Sequence, residues 1–188
     1  MPPDPIVLAF DTSAAHCAAA LLSDDRTDTV VEVMDKGQAE RLVPMLEGLL
    51  AAAQVGWADI GLVVVGTGPG NFTGIRIAVA LARGLAMGLS VPAVGVTGFE
   101  VLGQDAAVAI PAPRGQVYLK LPGQVPEIVD DVPPGTRLLA DMDIAAFVTA
   151  LGRAGRRKAQ RPQPRPAPFY LRAADAAPPS DPPPVILP

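Results

Sequence analysis

Apolar residues follow two different periodic patterns along the first hundred positions of the chain. The first pattern is that of extended chain: residues 6–10 and 17–22 are continuous apolar runs, and residues 29–34 are rich in β-branched side chains. Short polar segments separate these runs, as is typical of neighbouring antiparallel strands. The sequence therefore predicts that the fold begins with a three-stranded antiparallel meander.

After the meander the apolar period becomes that of a helix. The apolar residues within 39–55 recur at intervals of three and four positions: Leu42, Met45, Leu46, Leu49 and Ala53. A second helix is predicted over 73–89, between short strands at 62–66 and 93–96. Three antiparallel strands followed by helix, strand, helix and strand, with right-handed crossovers, predict an α/β fold with the ribonuclease-H-like order of strands.

The second half of the chain is less regular. Residues 108–111 and 116–121 predict a hairpin, and residues 144–151 predict an amphipathic helix. Residues 153–165 hold six basic residues and no acidic one, so the rest of the chain carries −10 although the whole chain carries −4. Such charge usually belongs to a solvated linker, and the prolines from 162 onward favour extended chain. We expect an N-terminal lobe at 1–104, a shortened C-terminal lobe with a basic Pro-rich linker at 105–171, and a Pro-rich tail at 172–188.

Composition narrows the classes of function. A net charge of −4 and a pI of about 4.9 argue against an autonomous nucleic-acid binder. The single cysteine, Cys17, and the single histidine, His16, exclude a disulfide framework, a cysteine zinc cluster and a histidine metal triad. Adjacent strand residues point to opposite faces, so these two are not expected to form a nucleophile–base pair. The chain shows neither a secretory leader nor a long uninterrupted apolar span, which predicts a cytoplasmic protein with no membrane association.

The segment GTGPGNFTG, residues 66–74, joins a predicted strand to a predicted helix. It lacks the lysine of a Walker A loop and the glycine pattern of a dinucleotide fingerprint. A tight turn into a capped helix is the favoured interpretation, although free N–H groups at a helix start can also attract an anion. Asp11 closes the first strand where actin-like ATPases hold a metal-bound nucleotide, but aspartate is also a common turn residue. The candidate anion or nucleotide contacts are Asp11, Thr12, Gly68, Gly70, Asn71 and Thr73.

Small residues recur every four positions along the helix predicted over 73–89. They are Ala80, Gly84 and Gly88. Glycine inside a helix costs about 1 kcal/mol relative to alanine, so a closely packed neighbour is expected to compensate. That neighbour is either another element of this chain or a partner, and apolar residues on more than one face of the helix favour a partner.

Several motifs together resemble the TsaB (YeaZ) family of bacteria. They are VLAFDTS, ERLVPML, GTGPGNFTGIRIAVALARGLA and VPAVGVTG. The resemblance covers roughly residues 5–104, resumes at PRGQVYLK (113–120) and touches PFYLR (168–172). The chain has Gln38 where the family often has histidine, and Pro111 or Ala112 where it often has aspartate.

The resemblance implies an actin-like (ASKHA) fold and a non-catalytic subunit of the tRNA threonylcarbamoyladenosine (t6A) system. It implies a heterodimer with the paralogue TsaD, which transfers the threonylcarbamoyl group to N6 of adenosine 37 in tRNAs reading ANN codons, and assembly with the ATPase TsaE. ATP and metal are then expected on these partners, with no tightly bound cofactor here and tRNA reached only through the complex. One histidine and no metal-ligand pair provide no chemistry for the glycoprotease activity once assigned to relatives.

The small-residue positions and the resemblance together predict a pairing face on the two N-terminal helices, which would also form a homodimer in isolation. Its predicted residues are Leu42, Met45, Leu46, Arg76, Ile77, Ala80, Leu81, Arg83, Gly84 and Gly88. Two other classes stay open. One is a small-molecule kinase or ATPase of the actin-like superfamily, for which residues 105–171 are too few and too rich in proline to supply a second phosphate-binding lobe. The other is a homodimeric scaffold unrelated to tRNA.

Overall fold

The computed structural model describes residues 5–171 and begins with a five-stranded sheet, the first sheet. Its strands are β1 (Ile6–Asp11), β2 (His16–Leu22), β3 (Thr27–Val33), β4 (Ile60–Gly66) and β5 (Ala93–Val96). Their order is β3-β2-β1-β4-β5. The first three strands pair antiparallel, and β4 and β5 join in parallel. The predicted meander and the ribonuclease-H-like order of strands are confirmed.

Two long helices cover one face of the first sheet. They are α1 (Gln38–Ala53) and α2 (Phe72–Leu89), close to their predicted bounds. Helix α2 has the length and composition of a membrane-spanning helix. However, one side of it is buried against the sheet through Ile75, Ala78 and Val79. It is therefore a core helix of a globular fold.

The opposite face of the first sheet is covered by α4 (Ile144–Lys158), which comes from the second half of the chain. Phe147, Val148 and Leu151 are buried against the sheet. The helix backbone approaches closely, because a Cβ atom on Gly155 would collide with the side chain of Val64. Helices on both faces explain why β1, β2 and β4 are continuous apolar runs rather than alternating ones.

Helix α4 is longer than predicted, and part of the predicted linker belongs to it. The prediction of a solvated linker from residue 153 was wrong as far as Lys158, because two of the basic side chains bind main-chain carbonyls. The guanidinium of Arg156 donates to the oxygens of Pro5 and Leu22. Nζ of Lys158 donates to the oxygen of Gly95 at 2.8 Å. Basic residues in a last helical turn are also favoured by the helix dipole.

A second, smaller sheet follows the short helix α3 (Gly98–Leu102). Its strands are β6 (Val108–Pro111), β7 (Val117–Lys120), β8 (Glu127–Val129) and β9 (Arg137–Leu138), in the order β8-β7-β6-β9. The predicted hairpin is the pair β6–β7, and β9 joins β6 in parallel. This sheet repeats the order of the first sheet as far as its fourth strand. The boundary near residue 104 stays a prediction, since α4 crosses back onto the first sheet.

The last described residues return to the segment that joins β4 to α2. The amide of Phe169 donates to the oxygen of Thr67 at 2.8 Å, and its ring meets that of Phe99 edge-on, with centroids 6.3 Å apart. The ring of Tyr170 stacks on Phe72 at 4.9 Å. The predicted tail at 172–188 lies outside the described residues.

Candidate functional site

The glycine-rich segment 66–74 packs against the loop that follows β1. Because β1 and β4 are parallel neighbours, their carboxyl ends lie side by side. Oγ1 of Thr12 donates to the oxygen of Gly74 at 2.7 Å, and the amide of Asn71 donates to the oxygen of Ser13 at 2.7 Å. A Cβ atom on Gly70 would overlap the oxygen of Ser13. The glycines therefore allow two backbones to touch, which is a structural role beyond the tight turn that the sequence favoured.

The carboxylate of Asp11 is buried beneath this contact and is bound from within the chain. Its Oδ2 accepts hydrogen bonds from the amide and hydroxyl of Ser13, at 2.9 and 2.8 Å, and lies 2.9 Å from Nε2 of His16. Only 1% of Asp11 and 6% of His16 is exposed to solvent. Sequence reasoning treated His16 as inert and missed this pair. The signal was present, since the antiparallel pairing of β1 with β2 brings the end of one beside the start of the other.

A cleft of about 800 Å³ lies between the glycine segment, the second sheet and the last described residues, 169–171. Among the predicted anion contacts, Gly70, Asn71 and Thr73 line it. Its other lining residues include Ser13, Gln38, Phe72, Pro111, Tyr118, Phe169 and Tyr170. The described lining contains one charged residue, Asp35, and no cation. A bound polyphosphate would therefore depend on cations from elsewhere.

The remaining predicted contacts lie below the cleft. Asp11, Thr12 and Gly68 are buried and do not line it. Asn71 caps helix α2, because its Oδ1 accepts a hydrogen bond from the amide of Gly74 at 2.9 Å. The structure thus separates the six predicted residues into a buried set and a cleft-lining set, and nucleotide contact stays a prediction.

Neither metal binding nor thiol chemistry has a prepared site in the part of the chain that the structure describes. Residues 5–171 contain no group of three or more His, Cys, Asp and Glu side chains arranged to hold a metal ion. Burial, with a smaller contribution from the negative charge of Glu32, raises the pKa of the Cys17 thiol to about 11. Cys17 is therefore a neutral core residue at physiological pH rather than a nucleophile.

The small residues of α2 face outward. Gly84 and Gly88 are exposed, and a Cβ atom on either would meet nothing within 4 Å. Ala80 is exposed on the same side of the helix, as is Met87 two turns further on, which is 83% exposed. No described residue lies within 4 Å of a Cβ atom placed on Gly84 or Gly88, so residues 5–171 hold no neighbour that packs closely on these two glycines. We call Ala80, Gly84 and Gly88 the α2 stripe.

Helix α1 adds a different set of residues to this surface from the set that the sequence predicted. Leu42, Met45 and Leu46 are buried in the core at 1%, 2% and 0% exposure, so they are not available to a partner on the outer face. The reason is helical phase, since the apolar side that the pattern revealed is the side that packs on the sheet. The exposed side of α1 presents Val43, Pro44, Glu47, Gly48 and Ala51. A Cβ atom on Gly48 would also meet nothing within 4 Å.

Comparisons with known proteins identify relatives of this arrangement. A family model described as TsaD: tRNA N6-adenosine threonylcarbamoyltransferase matches residues 29–120. The tRNA threonylcarbamoyladenosine biosynthesis protein TsaB of Escherichia coli K12 is 33% identical over 121 residues, covering 60% of this chain and 52% of that protein. The uncharacterized protein Mb3455c of Mycobacterium bovis is 32% identical over 201 residues, covering 92% of this chain and 94% of that protein. The solved structure of YeaZ from Pseudomonas aeruginosa superposes with a TM-score of 0.73 at 25% identity, covering 89% of this chain and all of that one.

The chain belongs to the TsaB/YeaZ family. Its α/β fold of two mixed sheets with flanking helices is the fold of the YeaZ structure, as predicted. The chain spans about half the length of the curated TsaB proteins that it matches. Among the positions at which the chain departs from the family pattern, Gln38 and Pro111 border the cleft and carry no ionisable group, whereas Ala112, the alternative to Pro111, is not part of the lining.

Proposed function

We propose that this chain is a non-catalytic pairing subunit of t6A biosynthesis, which acts by forming a heterodimer with a TsaD-type paralogue. The observation that supports the proposal most is the outward-facing α2 stripe in a TsaB/YeaZ fold. Gly84 and Gly88, in the interior of the 18-residue helix α2, together cost roughly 2 kcal/mol relative to alanine. Nothing in the described chain requires them, so a partner backbone that approaches closely is the physical reason for their presence.

The surroundings of the stripe suit a helix-to-helix contact. Half-buried Ile77 and Leu81 supply apolar area beside it. Arg76 and Arg83 form the rim and are already held in place. Arg76 lies 3.8 Å over the ring of Phe72, and Nε of Arg83 donates to the oxygen of Pro166 at 2.6 Å. Ordered rim side chains lose little entropy on binding.

The exposed side of α1 extends the same surface. Pro44, Gly48 and Ala51 recur at intervals of four and three, so they form a second row of short side chains. A paralogue of the same fold would present two equivalent helices, which would complete a pseudo-symmetric four-helix seam. The same surface, when left uncovered, would pair two copies of this chain as a homodimer.

The residues of the cleft bear on where the transfer reaction takes place. With Asp11 bound internally and no cation in the described lining, we place the transfer to N6 of adenosine 37 on the paralogue. ATP and metal are expected on the paralogue and on a TsaE-type ATPase, and tRNA is expected to reach this subunit within the assembled complex. The whole complex is expected in the cytoplasm.

The runner-up function, an actin-like small-molecule kinase or ATPase, has weaker support. Such an enzyme needs a second lobe that holds phosphate, but the second sheet here is small, and its strand β9 has only two residues. It also needs a free carboxylate at the end of β1, whereas Asp11 faces His16. A homodimeric scaffold without a role in tRNA modification would show the same fold. It is separated from the proposal by the identity of the captured partner.

The test is affinity capture of the tagged chain from its native cells, together with measurement of t6A in bulk tRNA after depletion and complementation. The wild type is expected to retain a TsaD-type protein and restore t6A. Gly84→Leu is expected to do neither, because the new side chain projects into the seam. Ala146→Leu adds similar bulk at an exposed position of α4 and serves as the matched control. Unchanged pairing by Gly84→Leu would place the interface elsewhere, and normal t6A without the chain would end the proposal.

A further inference from the structure

Near the end of the described residues, the charged side chains of the chain are all positive. Residues 144–171 contain six basic residues and no acidic one. Two of the six, Arg156 and Lys158, bind main-chain carbonyls inside the fold. The side chains of the other four are exposed and make no hydrogen bond or ion pair within residues 5–171. We call these four the arginine ridge: Arg153, Arg157, Arg161 and Arg165.

The ridge is a line rather than a cluster. Arg153 and Arg157 are four positions apart on α4 and therefore share a face, about 6 Å apart along the axis. The turn continues past the helix, since the amide of Arg161 donates to the oxygen of Lys158 at 3.2 Å. Nε2 of Gln163 donates to the same oxygen at 2.9 Å, which holds the chain as it turns toward Arg165.

A groove accompanies the end of the ridge. It has a volume of about 740 Å³ and lies between the second half of α2, strand β5 and residues 159–166. Arg83, Arg161 and Arg165 line it, and the described lining contains no acidic residue. The one carboxylate bordering the nearby surface, that of Glu100, is paired with Nζ of Lys158 at 2.7 Å. Negative charge is thus absent or neutralised where the ridge is most concentrated.

We propose that the arginine ridge, together with the side of this groove formed by residues 159–166, binds the phosphodiester backbone of RNA. Guanidinium groups bind phosphate in a two-pronged geometry that lysine cannot reproduce, and all four ridge residues are arginine. A row of cations on an otherwise acidic protein also orients an approaching polyanion, because the remaining surface repels it. The identity of the RNA rests on the proposed function: it is the tRNA held by the complex. The ridge then adds contacts to those of the paralogue.

Salt dependence gives the proposal a quantitative form. Each phosphate neutralised by a cation releases counterions, which contributes a slope of roughly −0.7 to −0.9 to the plot of log affinity against log salt concentration. Replacing three ridge arginines is therefore expected to make that slope shallower by about 2 to 3. Affinity at low salt is expected to fall at least tenfold. The isolated chain, at −4 overall, is expected to bind RNA weakly and only at low salt.

The probe is a fluorescein-labelled, unmodified tRNA transcript with an ANN-reading anticodon, titrated with the purified full chain at several salt concentrations. The test variant is Arg157→Gln/Arg161→Gln/Arg165→Gln. The control variant, Arg26→Gln/Lys36→Gln/Arg114→Gln, removes the same charge from exposed positions elsewhere. The test variant is expected to lose affinity and slope, and the control to stay within about threefold of wild type.

Three results would overturn the proposal. One is that the wild type does not bind the transcript at low salt, and another is that both variants lose affinity equally, which would make overall charge the cause. The third is that a polyglutamate peptide binds as tightly as RNA and with the same loss in the test variant, which would assign the ridge to an acidic protein surface. Capture of the paralogue from native cells is measured for the same three proteins, namely the wild type, the test variant and the control variant. If the paralogue is captured but RNA is not bound, only this inference is wrong. If RNA is bound but the paralogue is not captured, only the proposed function is wrong.

Discussion

Nε2 of His16 lies 2.9 Å from Oδ2 of Asp11, and both side chains are buried at the carboxyl end of β1. The other carboxylate oxygen, Oδ1, makes no hydrogen bond within the described residues. The aspartate that ends the first strand is therefore held by the only histidine of the chain rather than presented to the cleft. This relationship makes the pair a structural element of the loop contact below the glycine segment.

Replacing His16 with alanine is expected to destabilise the fold by roughly 1–3 kcal/mol, because a buried carboxylate loses its contact with the imidazole and keeps only those with Ser13. Urea unfolding at neutral pH measures the loss. His16→Gln keeps a side-chain N–H donor and is expected to recover part of it. Equal stability of all three proteins would show that the pair contributes nothing to folding.

The pair Glu100–Lys158 predicts a pH-dependent contribution to stability. Burial alone would raise the pKa of Glu100, but hydrogen bonds from Lys158 and Thr97 outweigh it and hold the pKa below the ordinary value. The ionised form therefore stabilises the fold above the unfolded pKa of about 4.3. That contribution is lost as pH falls through the lower folded pKa.

Glu100→Gln is accordingly expected to lower the free energy of unfolding by about 1 kcal/mol at pH 7. The difference from wild type is expected to vanish in acid. Urea unfolding across a pH series measures it, with Glu127→Gln at an exposed position as the control. A difference that stays constant with pH would assign the effect to packing rather than to ionisation.

Cys17 is expected to resist alkylation in the folded protein. Its pKa of about 11 leaves almost no thiolate at pH 8, and its Sγ lies 3.8 Å from the oxygen of Gln38 inside the core. Mass spectrometry after treatment with iodoacetamide follows the reaction, and the same treatment in urea provides full labelling. Rapid labelling without urea would show that the thiol is accessible in the folded state.

Two glycines in two helices are expected to respond in opposite ways to the same substitution. Gly155→Ala is expected to destabilise the fold by roughly 1–3 kcal/mol, because the added Cβ atom would collide with Val64. Gly84→Ala is expected to be neutral or to stabilise the isolated subunit by up to about 1 kcal/mol, since its Cβ atom would meet nothing. Thermal melts of the two variants give the comparison. A destabilised Gly84→Ala protein would show that the stripe packs internally after all.

The end of the described chain is expected to matter for stability. A chain that stops after Ala167 is expected to melt at a lower temperature than one that stops after Arg172. The shorter chain loses the contact of Phe169 with Thr67 and the stacking of Tyr170 on Phe72. Differential scanning calorimetry of the two chains tests this, and matching melting temperatures would refute it.

The periodicity of apolar residues was enough to predict the strands of the first sheet and the helices α1 and α2, because strands and helices have different periods. The same periodicity did not separate core from interface on α1. Leu42 is apolar at a helical position in either case, and only the neighbouring sheet shows that it is buried. The buried pair of Asp11 and His16 follows from the antiparallel pairing of β1 with β2, which the predicted meander already implied but which the reasoning from single residues did not use.

The end of α4 shows a different limit of sequence reasoning. Arg156 and Lys158 lie in a basic run of the kind that usually remains in solvent. Their partners are main-chain carbonyls more than sixty positions away, such as those of Leu22 and Gly95. Every residue has a main-chain carbonyl, so the sequence does not indicate which carbonyls will accept these hydrogen bonds. The end of α4 was therefore predicted too early.

The bond from Lys158 to Gly95 also bears on aggregation. Gly95 lies in β5, the outermost strand on its side of the first sheet, and an uncovered outer strand is a template onto which another chain can add. Here a charged amine caps one of its carbonyls, and a Cβ atom on Gly95 would lie 3.4 Å from Pro166, which runs alongside. Growth of the sheet from molecule to molecule is thereby discouraged on this side. The α2 stripe, which we propose binds a partner, thus belongs to a fold whose β5 edge is protected from fibre-forming strand addition.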